Sequence, residues 1–194
     1  MKSLYNFIVT PLEKRYDNIR KINDNELIIN TNIEDHSFIS KKAVVVETPA
    51  AYKTKIKKGD IVYIHHNIFR RWYDQKGRER NSSTYFKDDL YFCEPYQIYM
   101  YNNKSHLNYC FVQPIREIDN FKTSKEKEHF GILKYSNSSL EAVGIKPGEL
   151  VVFTPNSEFE FIIDGQRLYC MKSNDIALTH EYEGNEKEYN PSWA

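Results

Sequence analysis

The strongest constraint on this chain is a short pattern written twice. It first reads Ile56-Lys57-Lys58-Gly59-Asp60-Ile61-Val62-Tyr63-Ile64 and returns as Ile145-Lys146-Pro147-Gly148-Glu149-Leu150-Val151-Val152-Phe153. In each copy an apolar residue is followed by a four-residue turn with Lys58 or Pro147 second and Gly59 or Gly148 third. Proline second and glycine third mark a type II turn, whose third residue needs positive φ. An acid, Asp60 or Glu149, follows, and then an apolar run of the length of a buried strand. Two further echoes keep the same order. Leu90-Tyr91-Phe92 precedes Ile98 and Leu168-Tyr169-Cys170 precedes Ile176, at the same spacing. Phe7-Ile8-Val9-Thr10-Pro11 opens one half and Phe111-Val112-Gln113-Pro114 the other. Three markers in one order predict a duplicated domain.

The length of 194 residues accommodates two small domains. Fifteen tyrosines in an aromatic-rich composition suit strands and interfaces. Basic and acidic residues balance at 27 each, which excludes a globally basic nucleic-acid binder. The cysteines Cys93, Cys110 and Cys170 are odd in number and far apart, as expected of reduced thiols in the cytoplasm. Neither a secretory leader nor a run apolar enough to span a membrane is apparent.

Taken in order, the residues predict a first strand from Tyr5 to Leu12. A polar segment of loop composition follows at 13–26, with a helix over 12–22 as the competing assignment. An isolated triplet, Leu27-Ile28-Ile29, comes next, and then a strand from Ala43 to Val46. After the Gly59-Asp60 turn, a charged and aromatic excursion fills 67–89 before the strands at Leu90–Cys93 and Gln97–Tyr101. The second half predicts strands near 109–113, 130–135, 150–154, 158–163, 167–171 and 176–179, with Asp164-Gly165 as a tight hairpin turn. From Glu181 onward the chain is polar and acidic, the composition of a mobile tail.

This order of strand with proline, polar loop with aliphatic triplet, Ala-Val-Val-Val strand, Gly-Asp turn and closing Leu-Tyr and Ile strands resembles the GroES-like co-chaperonins. The resemblance covers about residues 5–101 and, more loosely, 109–179. A tandem form is similar to the double-domain co-chaperonins of plastids, and the large insertions to those carried by phages. The resemblance implies an all-β protein of two tandem GroES-like small β-barrels. The first would occupy 1–101, with a mobile loop near 14–40 and an insertion near 65–89. A linker at 102–108, a second barrel at 109–180 and a polar tail at 181–194 would follow. Gly59, Asp60, Gly148 and Glu149 would be the fold-signature turns.

The family further implies that Leu27, Ile28 and Ile29 dock into an apolar groove of a GroEL-like chaperonin ring. Burying such side chains yields about 1.5–3 kcal/mol each, against about 1–2 kcal/mol per residue for ordering the loop. One loop would bind weakly, and a homo-oligomeric ring, a heptamer if it matches a seven-site chaperonin, would convert weak contacts into avidity. Unfolded client protein would be enclosed in the cage. The chain would be no enzyme, would carry no cofactor or metal, and would act in the cytoplasm. The segment Arg116 to His129 of the second half has only Ile118 and Phe121 as apolar residues and lacks a triplet.

Other chemistry is thin. His65-His66 would sit on opposite faces of a strand, which disfavours a shared metal ion, and His36, His106, His129 and His180 stand apart. Arg70-Arg71-Trp72-Tyr73 with Lys76, Arg78 and Arg80 mixes cations and aromatics as single-strand platforms do, diluted by Asp74 and Glu79. No nucleophile elbow, phosphate loop or dinucleotide glycine pattern occurs. The competing functional expectation is a structural or virion-assembly protein that reuses the barrel without docking.

Overall fold

The computed structural model describes residues 2–23, 25–118 and 125–192. Over these residues the protein is all-β apart from one short helix. It divides into two compact units, residues 1–102 and 103–194.

Unit 1 contains β1 (Phe7–Pro11), β2 (Ile19–Ile22), β3 (Asn25–Ile28), β4 (Lys42–Glu47), β5 (Ile61–Ile64) and β6 (Arg71–Tyr73). These are followed by β7 (Glu79–Asn81), β8 (Tyr85–Lys87), β9 (Leu90–Cys93) and β10 (Ile98–Tyr101). Its main sheet runs β10-β5-β4-β1-β9-β8, with β2-β3 and β6-β7 as separate hairpins. In β4 and β9 alternate residues are buried, as strand geometry requires when one face packs. Phe7 and Val9, Ala43 and Val45, and Tyr91 and Cys93 point into one core with Val62, Ile64 and Ile98.

Unit 2 contains β11 (Lys104–Ser105), β12 (Tyr109–Arg116), β13 (Glu126–Tyr135), α1 (Ser138–Ala142) and β14 (Leu150–Phe153). The last strands are β15 (Phe159–Ile163), β16 (Gln166–Lys172) and β17 (Ile176–His180). Its sheet runs β17-β14-β13-β12-β16-β15. Asn137 caps α1 by accepting from the N–H groups of Ser139 and Leu140, and its amide donates to the carbonyl of Tyr109. Leu140 is thereby set into the core of Val112, Leu133, Val151 and Phe153.

The two strand orders correspond one to one, and so does the register. Val9 pairs with Val45 on one side and Tyr91 on the other. Val112 pairs with Leu133 and Tyr169. The register slips just before Val9 and just before Val112. The expected turns are built alike. Gly59 and Gly148 have φ of 89° and 95°, and each donates its N–H over 2.7 Å, to the carbonyls of Val45 and Leu133 respectively. The acids that follow reach back. The Asp60 carboxylate accepts from the N–H of Lys57 and that of Glu149 from Lys146. Neither sheet's hydrogen-bonded order returns to its first strand among the described residues.

Three expectations are corrected. The 13–26 segment is not plain loop, since it supplies β2 and the first half of β3, nor is it a helix. His65 and His66 do not lie on opposite faces of a strand; they begin a 3₁₀ turn at His66–Ile68 and their rings stack at 4.4 Å. The C-terminal segment is held down as far as Pro191. Arg116 donates to the carbonyl of Lys187, Tyr189 donates to that of Pro114, and Asn190 accepts from Arg167. The gain of backbone hydrogen bonds to β12 offsets the polar composition that suggested a loose tail. Trp193 lies outside the described residues.

Candidate apolar docking hairpin

The polar excursion between β1 and β4 is anchored at its base. Tyr16 and Ile39 bridge each other and enter the unit 1 core. Asp17 donates to the carbonyl of Phe38, Ser40 to that of Arg15, and the Tyr16 hydroxyl to that of Ile33. Above this base, short polar side chains do the work that a ladder does elsewhere. The Asn30 and Asn32 side-chain carbonyls accept from the N–H groups of Asn32 and Glu34, and the Asp35 carboxylate accepts from Ser37. Such side-chain-to-backbone bonds let an asparagine-rich stretch hold a defined path without apolar periodicity. The Ser37 N–H also holds the Asp35 carboxyl below the ordinary carboxylate range.

Strands β2 and β3 pair antiparallel, with Ile19 opposite Ile28 and Arg20 opposite Leu27. Ile29 closes the ladder by donating to the carbonyl of Asn18. The triplet sits on this hairpin, with Leu27 51%, Ile28 59% and Ile29 37% exposed. Successive strand residues face opposite sides. Exposure of both Leu27 and Ile28 therefore means that neither face of β3 at this point is covered. An ordinary core strand would bury one of them.

The insertion after β5 is stapled to the same base. Arg15 lies half-buried over the Tyr91 ring and donates to the carbonyls of Phe69 and Arg70 and to Asn81. Burial pulls its pKa below the usual guanidinium value. Arg71 stacks on Tyr16 at 4.6 Å and pairs with Glu79 at 2.8 Å. Glu34 accepts from the N–H of Tyr73. Asp74 accepts from Arg78 and Arg80, and the Arg78 N–H foremost keeps its carboxyl low. Three of the arginines that suggested a nucleic-acid platform, Arg71, Arg78 and Arg80, are thus paired within their own hairpin. Sequence spacing identified neither Arg15 nor Tyr16 as organising residues, because their partners are distant in the chain.

His36, expected to stand apart, lies with its ring 5.4 Å from that of His66. Among the described residues no group of three His, Cys, Asp or Glu side chains has metal-holding geometry. No described helix is long and apolar enough to cross a membrane. In unit 2 the segment matching the excursion is only 117–125; Ile118 is 52% exposed, and Phe121 and Lys122 fall outside the described residues. No protein-family model matches the chain, and no curated protein matches it.

Proposed function

We propose that the chain is a co-chaperonin that caps a GroEL-like chaperonin ring through Leu27, Ile28 and Ile29. The observation that carries this is the exposure of all three side chains on a hairpin that stands apart from the main sheet of unit 1. Apolar side chains at that density on an otherwise polar segment are explained by a groove that covers them. Pairing of β2 with β3 orders the segment before it binds, which reduces the entropy lost on docking.

Both units are, on this reading, divergent GroES-like barrels. The support is their common strand order, common register slip and common Gly-acid turn. Each chain presents one triplet, so a seven-site chaperonin is matched by a ring of seven chains, with unit 2 serving as spacer or ring contact. The protein is then a non-enzymatic, cytoplasmic lid over client protein, and nucleotide hydrolysis belongs to the chaperonin.

The test is native mass spectrometry of the full chain with a purified GroEL-type chaperonin, with and without nucleotide. A nucleotide-dependent complex that disappears with Ile28→Asp is the expected result. A folded chain that forms no such complex under either condition overturns the proposal and leaves a structural role for the barrels.

A further inference from the structure

His36, His65 and His66 bring together two turns that are distant in the sequence. The His65 and His66 rings stack at 4.4 Å with 29° between their planes, and His36 reaches His66 at 5.4 Å. His36 opens the 3₁₀ turn His36–Phe38, which closes the excursion just before Ile39 enters the core. His66 opens the turn whose Ile68 and Phe69 are fully buried. That turn also holds the insertion, since Ile68 accepts from Ser82 and Thr84, and the root of the excursion, since Phe69 accepts from Arg15.

The His65 ring has a second task. Its Nδ1 accepts the N–H of Asn67 at 3.1 Å and so caps the turn. Only a neutral imidazole can do this, because the protonated ring carries N–H on both nitrogens. The charges around the stack do not welcome a proton. Lys41 acts on both His65 and His66, and Arg70 on His66. Asp35, beside His36, is already engaged by the Ser37 N–H and by Asn30. The Tyr99 ring lies 6.3 Å from that of His65.

We propose that His36, His65 and His66 form an acid-released latch that, while His65 and His66 are neutral, clamps the end of the excursion to the turn at His66–Ile68. Charging His65 and His66 sets like charges against each other and removes the Asn67 cap, so the segment from about Asn30 to Phe38 separates from that turn. Burial, followed by His65, His36, Lys41 and Arg70, brings His66 down to about 4, and burial followed by Lys41 lowers His65. A released histidine titrates near its ordinary value of about 6.5. The released state therefore binds more protons between about 6.5 and 4, and acidification through that window favours it. The latch does not depend on what the neighbouring triplet binds, and its test involves no chaperonin.

The experiment is hydrogen–deuterium exchange of the full chain at pH 7.5 and 5.0, corrected for the intrinsic pH dependence of exchange. Peptides covering 30–39 and 64–70 are expected to lose about tenfold protection at pH 5.0, reversibly, while the β12–β16 ladder of unit 2 keeps its protection. The variant carrying His36→Gln and His66→Phe should lose most of the pH response, keeping only the part that the His65 cap of Asn67 supplies. Should that variant not fold, His36→Gln alone, at an exposed position, should reduce the response at least about threefold. Equal protection of the wild type at both pH values, an undiminished response in the variants, or parallel loss in the β12–β16 ladder would each overturn the latch.

Discussion

The guanidinium of Arg15 lies 5.2 Å from the centre of the Tyr91 ring, joining the root of the excursion to β9. The same group donates to the Phe69 carbonyl at 2.6 Å and to Asn81 at 2.7 Å. Replacing Arg15 with methionine keeps much of the apolar stem and removes every donor. The expected loss is about 2–3 kcal/mol, the range for hydrogen bonds to a charged group together with the carbonyl left unpaired. A urea-unfolding midpoint that stays at the wild-type value would show that this staple is dispensable.

Gly131 is fixed by space. A Cβ there would meet Val112 Cγ1 at 2.4 Å and the Gln113 carbonyl oxygen at 2.6 Å. The matching register position in unit 1, opposite Pro11 as Gly131 is opposite Pro114, holds Ala43. Gly131→Ala should destabilise unit 2 by about 1–3 kcal/mol, the usual cost of overpacking. Ala43→Gly in unit 1 should cost only about 0.5–1 kcal/mol. Paired chemical denaturation of the two variants checks the contrast.

Uncovered side chains should tolerate charge. Ile28→Asp is expected to shift stability by no more than about 0.5 kcal/mol, as surface substitutions do. Val45→Ala, at a fully buried site in the same unit, should cost about 2–3 kcal/mol by leaving a cavity. If Ile28→Asp unfolds the chain as readily as Val45→Ala, the triplet is structural.

All three thiols are buried. Burial raises the pKa of each, with Cys110 pushed up to about 12. Since the thiolate is the reactive form, the native protein at pH 8 should not react with a thiol-specific disulfide reagent on the timescale of minutes. The denatured protein should titrate all three cysteines of the sequence at once. Fast labelling of any one in the native state would indicate local opening of its strand.

Several features are legible in the amino-acid sequence alone. The Gly59 and Gly148 turns are local, because a positive φ and an acid one residue later are set within four residues. The Asp164-Gly165 turn was legible for the same reason, both residues having positive φ. The β2-β3 hairpin was not legible, because asparagine and aspartate carry no periodicity even when they hold a backbone in place. The approach of His36 to His66 and the pairing of Tyr189 with Pro114 were out of reach, since each joins residues far apart in the chain.

The amino-acid order by itself determined where the glycine turns and the apolar strands beside them fall, because alternation of side chains and the conformational range of glycine act over a few neighbouring residues. Tertiary structure decided which apolar residues are covered. Val44-Val45-Val46 and Leu27-Ile28-Ile29 are equally aliphatic as text, yet Val45 lies in the core and Leu27 and Ile28 are more than half exposed. That difference is made by what the rest of the chain places over each strand, and burial is a property of those neighbours rather than of the residues themselves.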